Sequence, residues 1–166
     1  MNKKILLLIM CASIAFAGAV FTAEKFSIEH PIKNPQKFTD HERCDNCGMN
    51  LNEWARTRHE FENSRGKFHT CSIHCVSVMK MKLNEPPKNV KVAEYLHPEN
   101  MLDAGKASYV MGSTAPGTMT ARSKVAFSSK EEAEKFAAQY SGTVAGFEEA
   151  LAEAEKDVHG HKIHKH

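Results

Sequence analysis

The stretch between Cys44 and Cys75 constrains this chain more than any other. Cys44-Asp-Asn-Cys47-Gly48 is a C-x2-C knuckle, with Gly48 suited to a tight turn whose backbone amides face the sulfurs. Cys71 and Cys75 lie four apart, the separation that places two side chains on one helical face. A helix start there favours thiolates through its unpaired amides and dipole. Between the pairs, Ala55, Thr57, His59 and Phe61 alternate on one face of an expected strand; Asn63 to Gly66 supply a turn and Lys67 to Thr70 a returning strand. Knuckle, hairpin and helix start together gather four thiols around one tetrahedral ion, at spacings found in structural metal sites. Two disulfides, in any of three pairings, are the alternative. A thioredoxin-type motif requires a strand-to-helix junction, whereas this C-x-x-C leads into a hairpin.

The compartment sharpens that choice. Asn2-Lys3-Lys4 followed by the apolar run Ile5 to Val20 reads as an export signal over residues 1–23, with small residues for cleavage at Ala15-Phe-Ala17 or Ala17-Gly-Ala19. The expected destination is the periplasm; if the signal stays uncut, residues 5–21 tether the chain to the periplasmic face of the inner membrane. Cys11 lies too early in the apolar run for a lipidation site. Thiols in an oxidising compartment end as disulfides or are protected by a metal.

Without residues 1–23, only 24 Leu, Ile, Val and Phe remain in 143 residues. So thin a core in a small domain is commonly stapled by metal or disulfide. Removing Lys3 and Lys4 leaves 20 basic against 20 acidic residues, which gives no electrostatic basis for a nucleic-acid partner.

Residues 24–43, with Pro31 and Pro35, read as a linker. The pattern then runs strand, strand, helix, strand, twice over. In residues 44–97 a helix is expected from Ser72 to Leu83, ended by Pro86-Pro87, and a strand from Asn89 to Glu94. In residues 98–157, strands are expected at Ser108–Gly112 and Lys124–Phe127, then a helix opened by a Ser129/Glu132 capping box and stopped near Gly142. A short strand from Thr143 and a helix from Phe147 to Asp157 follow. The fold class is therefore α+β: two tandem ββαβ units, the first holding the cysteines. Residues 158–166 form a His-rich tail with His159, His161, His164 and His166, either a loose divalent-metal binder or a solvated end.

Four thiolates alone suit zinc, whereas monovalent copper prefers soft sulfur, thioether included. Met49 follows the knuckle, and Met119 lies in a Gly/Pro loop of the second unit. Met79, Met81, Met101 and Met111 read as core filler. His69 and His74 flank Cys71 and are candidate outer groups. Trp54, the only tryptophan, reads as a cover for the knuckle. No carboxylate pair has the spacing of acid–base catalysis, so no enzymatic turnover is expected.

Cys44-Asp-Asn-Cys47-Gly48-Met49, the export signal, Tyr109-Val-Met-Gly112-Ser113 with Met119 ahead of Lys124-Val-Ala-Phe127, and the helix with Ser129, Glu132, Ala133 and Phe136 resemble the NosL family over roughly residues 40–150. These are nitrous oxide reductase accessory proteins. The resemblance implies two ββαβ units similar to the organomercurial lyase fold. It also implies periplasmic copper(I) binding, and delivery to an apo copper enzyme, nitrous oxide reductase. Cys47, Met49 and Met119 are the copper candidates it suggests. Two features depart from the family: there is no convincing lipobox, and Cys71-Ser-Ile-His-Cys75 resembles the four-cysteine knuckles of treble-clef modules. A divergent branch follows, with a metal site drawn from Cys44, Cys47, Met49, Cys71, Cys75 and Met119. A structural four-cysteine zinc or disulfide-stapled interaction domain is the alternative.

Overall fold

The computed structural model describes residues 27–163, with side chains as far as His159. The expected signal and tether (1–23 and 5–21) and the side chains of His161, His164 and His166 lie outside that range. Among the described residues no helix is long and apolar enough to cross a membrane.

The first unit begins with a hairpin, β1 (His59–Asn63) and β2 (Gly66–Thr70), continues through α1 (Ile73–Leu83), and returns as β3 (Lys88–Ala93) on the other side of β1. A short strand β4 (Met101–Asp103) extends it, giving the antiparallel order β2-β1-β3-β4. The second unit repeats the plan with β5 (Ser108–Met111), β6 (Lys124–Phe127), α2 (Lys130–Tyr140) and β7 (Thr143–Ala145), in the order β6-β5-β7. Each unit thus places its first strand in the centre, flanked by its hairpin partner and by the strand that follows the helix. This is the expected duplicated ββαβ architecture.

Local chemistry explains the boundaries. Helix α1 turns Ile73, Val76 and Met79 inward and ends at Asn84, whose backbone is left-handed at φ 52°. The following prolines cannot continue it. At the start of α2 the Ser129 hydroxyl accepts from the Glu132 amide at 3.2 Å, as a cap should. The Glu132 carboxylate does not complete the box; it accepts from the Ser128 hydroxyl at 2.6 Å. After α2 the chain turns at Gly142, where φ is 107° and an added Cβ would meet Val110 Cγ1 at 2.7 Å. Only glycine suits both demands.

Three local expectations change. Ala55–Thr57 is a single 3-10 turn, with strand structure beginning only at His59. Residues 55–59 are all buried, so no alternation exists there. Arg56 donates to the carbonyls of Glu29 and Tyr95, and the Arg58 Nη atoms to those of Ala55, Pro98 and Phe38. Strand β4 was not expected, because three residues are too few to show a period. The last helix, α3 (Phe147–Ile163), runs past Asp157 because Val158 continues its buried stripe of Ala150, Leu151 and Ala154.

The two units share one core. Phe61, Ile73, Val76, Met79 and Val92 of the first pack with Tyr109, Met111, Ala126 and α3 residues of the second. Across that seam Lys80 meets Glu155 at 2.6 Å, and within the second unit the buried Lys124 ammonium meets Asp157 at 2.7 Å. A second cluster, rich in aromatics, belongs mostly to the second unit: Tyr95, Val110, Val125, Phe127, Phe136 and their neighbours. Residues 27–43 form no helix or strand but are fastened along their length. Ile28 packs on that second cluster, Ile32 N–H donates to Glu53 O, and the amides of Phe38 and Thr39 donate to Asn52 Oδ1.

Candidate metal centre

The knuckle is a closed backbone turn. Cys44 N–H donates to Met49 O at 2.9 Å, and Gly48 N–H returns to Cys44 O at 2.8 Å. Gly48 has φ 77°, and an added Cβ there would touch nothing, so its glycine is required by conformation alone. Asp45 fastens the turn to the hairpin edge. Its amide donates to His69 O at 2.9 Å, and its carboxylate accepts from the His69 amide at 2.6 Å. Cys71 lies just before Ser72, the N-cap of α1, whose first turn carries Cys75. Both sulfurs therefore meet the positive end of the helix.

The four thiols, all unbridged, converge as the sequence suggested, their sulfurs within 4.8 Å of one another. Cys47, Cys71 and Cys75 form a nearly equilateral triangle with edges of 3.6, 3.6 and 3.7 Å. Cys44 completes the group. Thiolates 2.3 Å from a tetrahedral ion stand about 3.8 Å apart. A disulfide would need about 2.0 Å. The spacing matches ligands around one ion.

Burial is uneven: Cys44, Cys71 and Cys75 are buried, while Cys47 is exposed. Leu51 closes the inner side, and Met49 and Trp54 pack against the cluster. The Met49 thioether lies 3.9 Å from Cys71 Sγ. Trp54 covers the knuckle as expected.

Protons and charge are distributed unequally over the thiols. Cys44 is held far below its ordinary range, because Cys71 and Cys75 donate to it and the backbone amides at Cys47 and Cys71 add to this. The same contact with Cys44, together with burial, pushes Cys71 strongly upward and Cys75 up to about 12. Outside the cluster, Asn46 Nδ2 donates to Cys75 Sγ at 3.3 Å, and Lys82 Nζ donates to Asn46 Oδ1 at 2.8 Å. An ammonium thus approaches the sulfurs through one amide.

The other candidates separate clearly. Met79 and Met111 are core residues, as expected, whereas Met81 and Met101 are only half-buried and lie outside the core. His69 stacks on His41 with ring centroids 4.2 Å apart, beside Glu60. His74 is buried on α1. Met119 does not pack into the sulfur cluster; it is 44% exposed at the tip of the loop between β5 and β6. That loop nonetheless reaches the centre through its neighbour. Thr118 Oγ1 lies 2.8 Å from Thr57 Oγ1, which donates to Cys71 O at 2.8 Å. Sequence reasoning missed Thr57 and Thr118, since two threonines 61 positions apart carry no spacing signal.

With the fold and this geometry established, comparison with known proteins relates the chain to a family and to a solved structure. The NosL family pattern matches residues 35–154. The crystal structure of the copper chaperone NosL from Shewanella denitrificans is similar in fold. It has 24% sequence identity and a TM-score of 0.54, and the match covers 72% of this chain and 96% of that one. No curated protein matches.

Proposed function

The chain belongs to the NosL family, and from that premise we propose that it is an exported copper(I)-binding metallochaperone that supplies an apo copper enzyme. By its family the recipient is nitrous oxide reductase, whose copper centres it helps to assemble in the periplasm. The chain works by binding and release, without catalytic turnover. The observation that supports this most is the triangle of Cys47, Cys71 and Cys75 sulfurs, with the Met49 thioether beside it and Cys47 exposed. Soft sulfur suits a monovalent copper ion. An exposed thiol at one corner lets a partner's ligand join the ion before this chain's ligands leave. Stepwise exchange of that kind is slow at a fully enclosed centre.

A second reading has its own support. Four sulfurs at tetrahedral spacing, three of them buried, also fit a resident structural ion such as zinc, held only to stabilise the fold. Anaerobic purification, thiol and metal analysis, and copper(I) titration against a competing chelator separate the two. The chaperone reading predicts one tightly held copper(I) per chain and weaker binding in Met49→Ala. Zinc retained against excess copper(I), with Met49→Ala silent, would establish the structural ion instead.

A further inference from the structure

The loop from Gly112 to Ser123 is closed at its neck and anchored at Ala115 and Thr118, and Met119 stands out from it. Its neck is closed by Gly112 N–H donating to Ser123 O at 2.9 Å and by the Ser113 and Ser123 hydroxyls 2.8 Å apart. Ala115 is buried in the aromatic cluster of the second unit. Gly117 lies against the backbone, where an added Cβ would meet Thr120 O at 2.5 Å. Thr118 is 4% exposed. The next residue, Met119, has φ 62° and is the exposed large apolar side chain among the described residues. A left-handed backbone is uncommon at a bulky non-glycine residue.

The Thr118 anchor is a directed chain of hydrogen bonds. Thr57 spends its single hydroxyl proton on Cys71 O, so Thr118 must donate to Thr57. His30 Nε2, which contacts Thr118 Oγ1, must then be the donor to it. The order is fixed: His30 Nε2–H to Thr118, Thr118 to Thr57, Thr57 to the carbonyl of Cys71. Trp54, which packs against the sulfur cluster, holds the His30 ring edge-on at 4.5 Å. Three distant segments (the strand-free segment before the knuckle, the 3-10 turn and the β5–β6 loop) thus meet on the backbone of one cysteine.

We propose that Thr57 and Thr118 are positioning residues for metal handling, locking the β5–β6 loop onto Cys71 so that the Met119 thioether and the cysteine thiolates act on the same ion. This rests on the copper(I) reading above. The hydroxyls touch no metal; they fix where Met119 begins. Since consecutive Cα atoms are 3.8 Å apart, a loop pinned at Thr118 leaves Met119 little freedom except in its own side chain. The second unit then contributes a sulfur to a centre otherwise built by the first. Thr57 couples the two because it joins both.

The test is a double-mutant cycle in the full chain, read by copper(I) competition under anaerobic conditions. Thr57→Val and Met119→Ala should each weaken copper(I) binding about tenfold, and the double variant should be no weaker than Met119→Ala alone. Thr57→Ser, which restores the hydroxyl, should recover wild-type affinity. Thr118→Val should repeat the Thr57→Val result from the loop side, without disturbing the turn that carries Thr57. A methyl-labelled Met119 resonance should shift on copper(I) loading in the wild type and stay in place in Thr57→Val. Losses that multiply to about a hundredfold would overturn the coupling, as would an unchanged affinity in either single variant. A wild-type chain that cannot compete for copper(I) would instead remove the functional reading beneath it.

Discussion

The two ββαβ units share a topology and differ in what fills them. In the second, Phe136 stacks among Tyr95, Phe127 and Tyr140, with ring centroids 4.6 to 5.5 Å apart, and α2 is held by ordinary apolar packing. In the first, the corresponding corner, where α1 meets the knuckle, holds Cys44, Leu51, Cys71 and Cys75 and little else. One plan is closed by rings and the other by sulfur. The stabilisation of the first corner is therefore conditional on what the sulfurs bind, whereas that of the second is not.

Breaking the aromatic corner gives the largest effect. Phe136→Ala removes a fully buried ring and should cost about 3–5 kcal/mol in urea unfolding, equally with and without metal. Equal dependence on metal in the two units would erase the contrast. Stripping the ion comes next. A ligand specific to the native state adds about 3 kcal/mol at a hundredfold excess over its Kd, so chelation should remove that amount. Amide hydrogen exchange should then quicken in the knuckle and α1 and stay slow in α2. Uniform acceleration would show that the shared core, and not the sulfur corner, senses the ion.

The smallest test concerns the seam. His59 is fully buried between the units, with Nδ1 2.9 Å from Thr57 O and Nε2 3.2 Å from Tyr109 Oη. Burial lowers its pKa to about 4. The unfolded chain therefore binds a proton that the native state refuses, and stability falls as pH drops from about 6.5 toward 4. Between pH 7 and pH 5 His59 should account for about 2 kcal/mol of the loss, and His59→Gln should remove that share and leave the part due to His30, whose pKa burial also lowers to about 4. An unchanged slope would place the acid sensitivity elsewhere.

The sequence made the helices, the hairpin and the gathering of cysteines legible because each has a local signature. Ser129 caps, Pro86-Pro87 stops, Gly48 turns, and Cys71 and Cys75 repeat at helical spacing. What it hid is long-range. Thr57 and Thr118 look like ordinary polar residues until the units dock, and His30 lies in a stretch without periodicity. Residues 55–57 imitate a strand because alternate residues are apolar or small, while their neighbours Arg56 and Arg58 bury themselves by spending guanidinium protons on carbonyls. The continuous core across the seam was equally invisible, since each unit reads as its own ββαβ pattern.

Placing each first strand in the middle of its sheet also sets an order in time. β1 gains β2 through a four-residue neighbourhood, but it meets β3 only across 33 residues, His59 against Val92. β5 waits as long for β7, with Tyr109 against Ala145, 36 residues apart. Such late contacts slow folding, because loop closure must precede the contacts that reward it. In the first unit an ion joining Cys44 and Cys47 to Cys71 and Cys75 ties the start of α1 to the front of the hairpin. The search for β3 then begins from Cys75 and is shortened to the length of one helix. The second unit has no such knot, so metal should speed the assembly of one half of the molecule and leave the pace of the other unchanged.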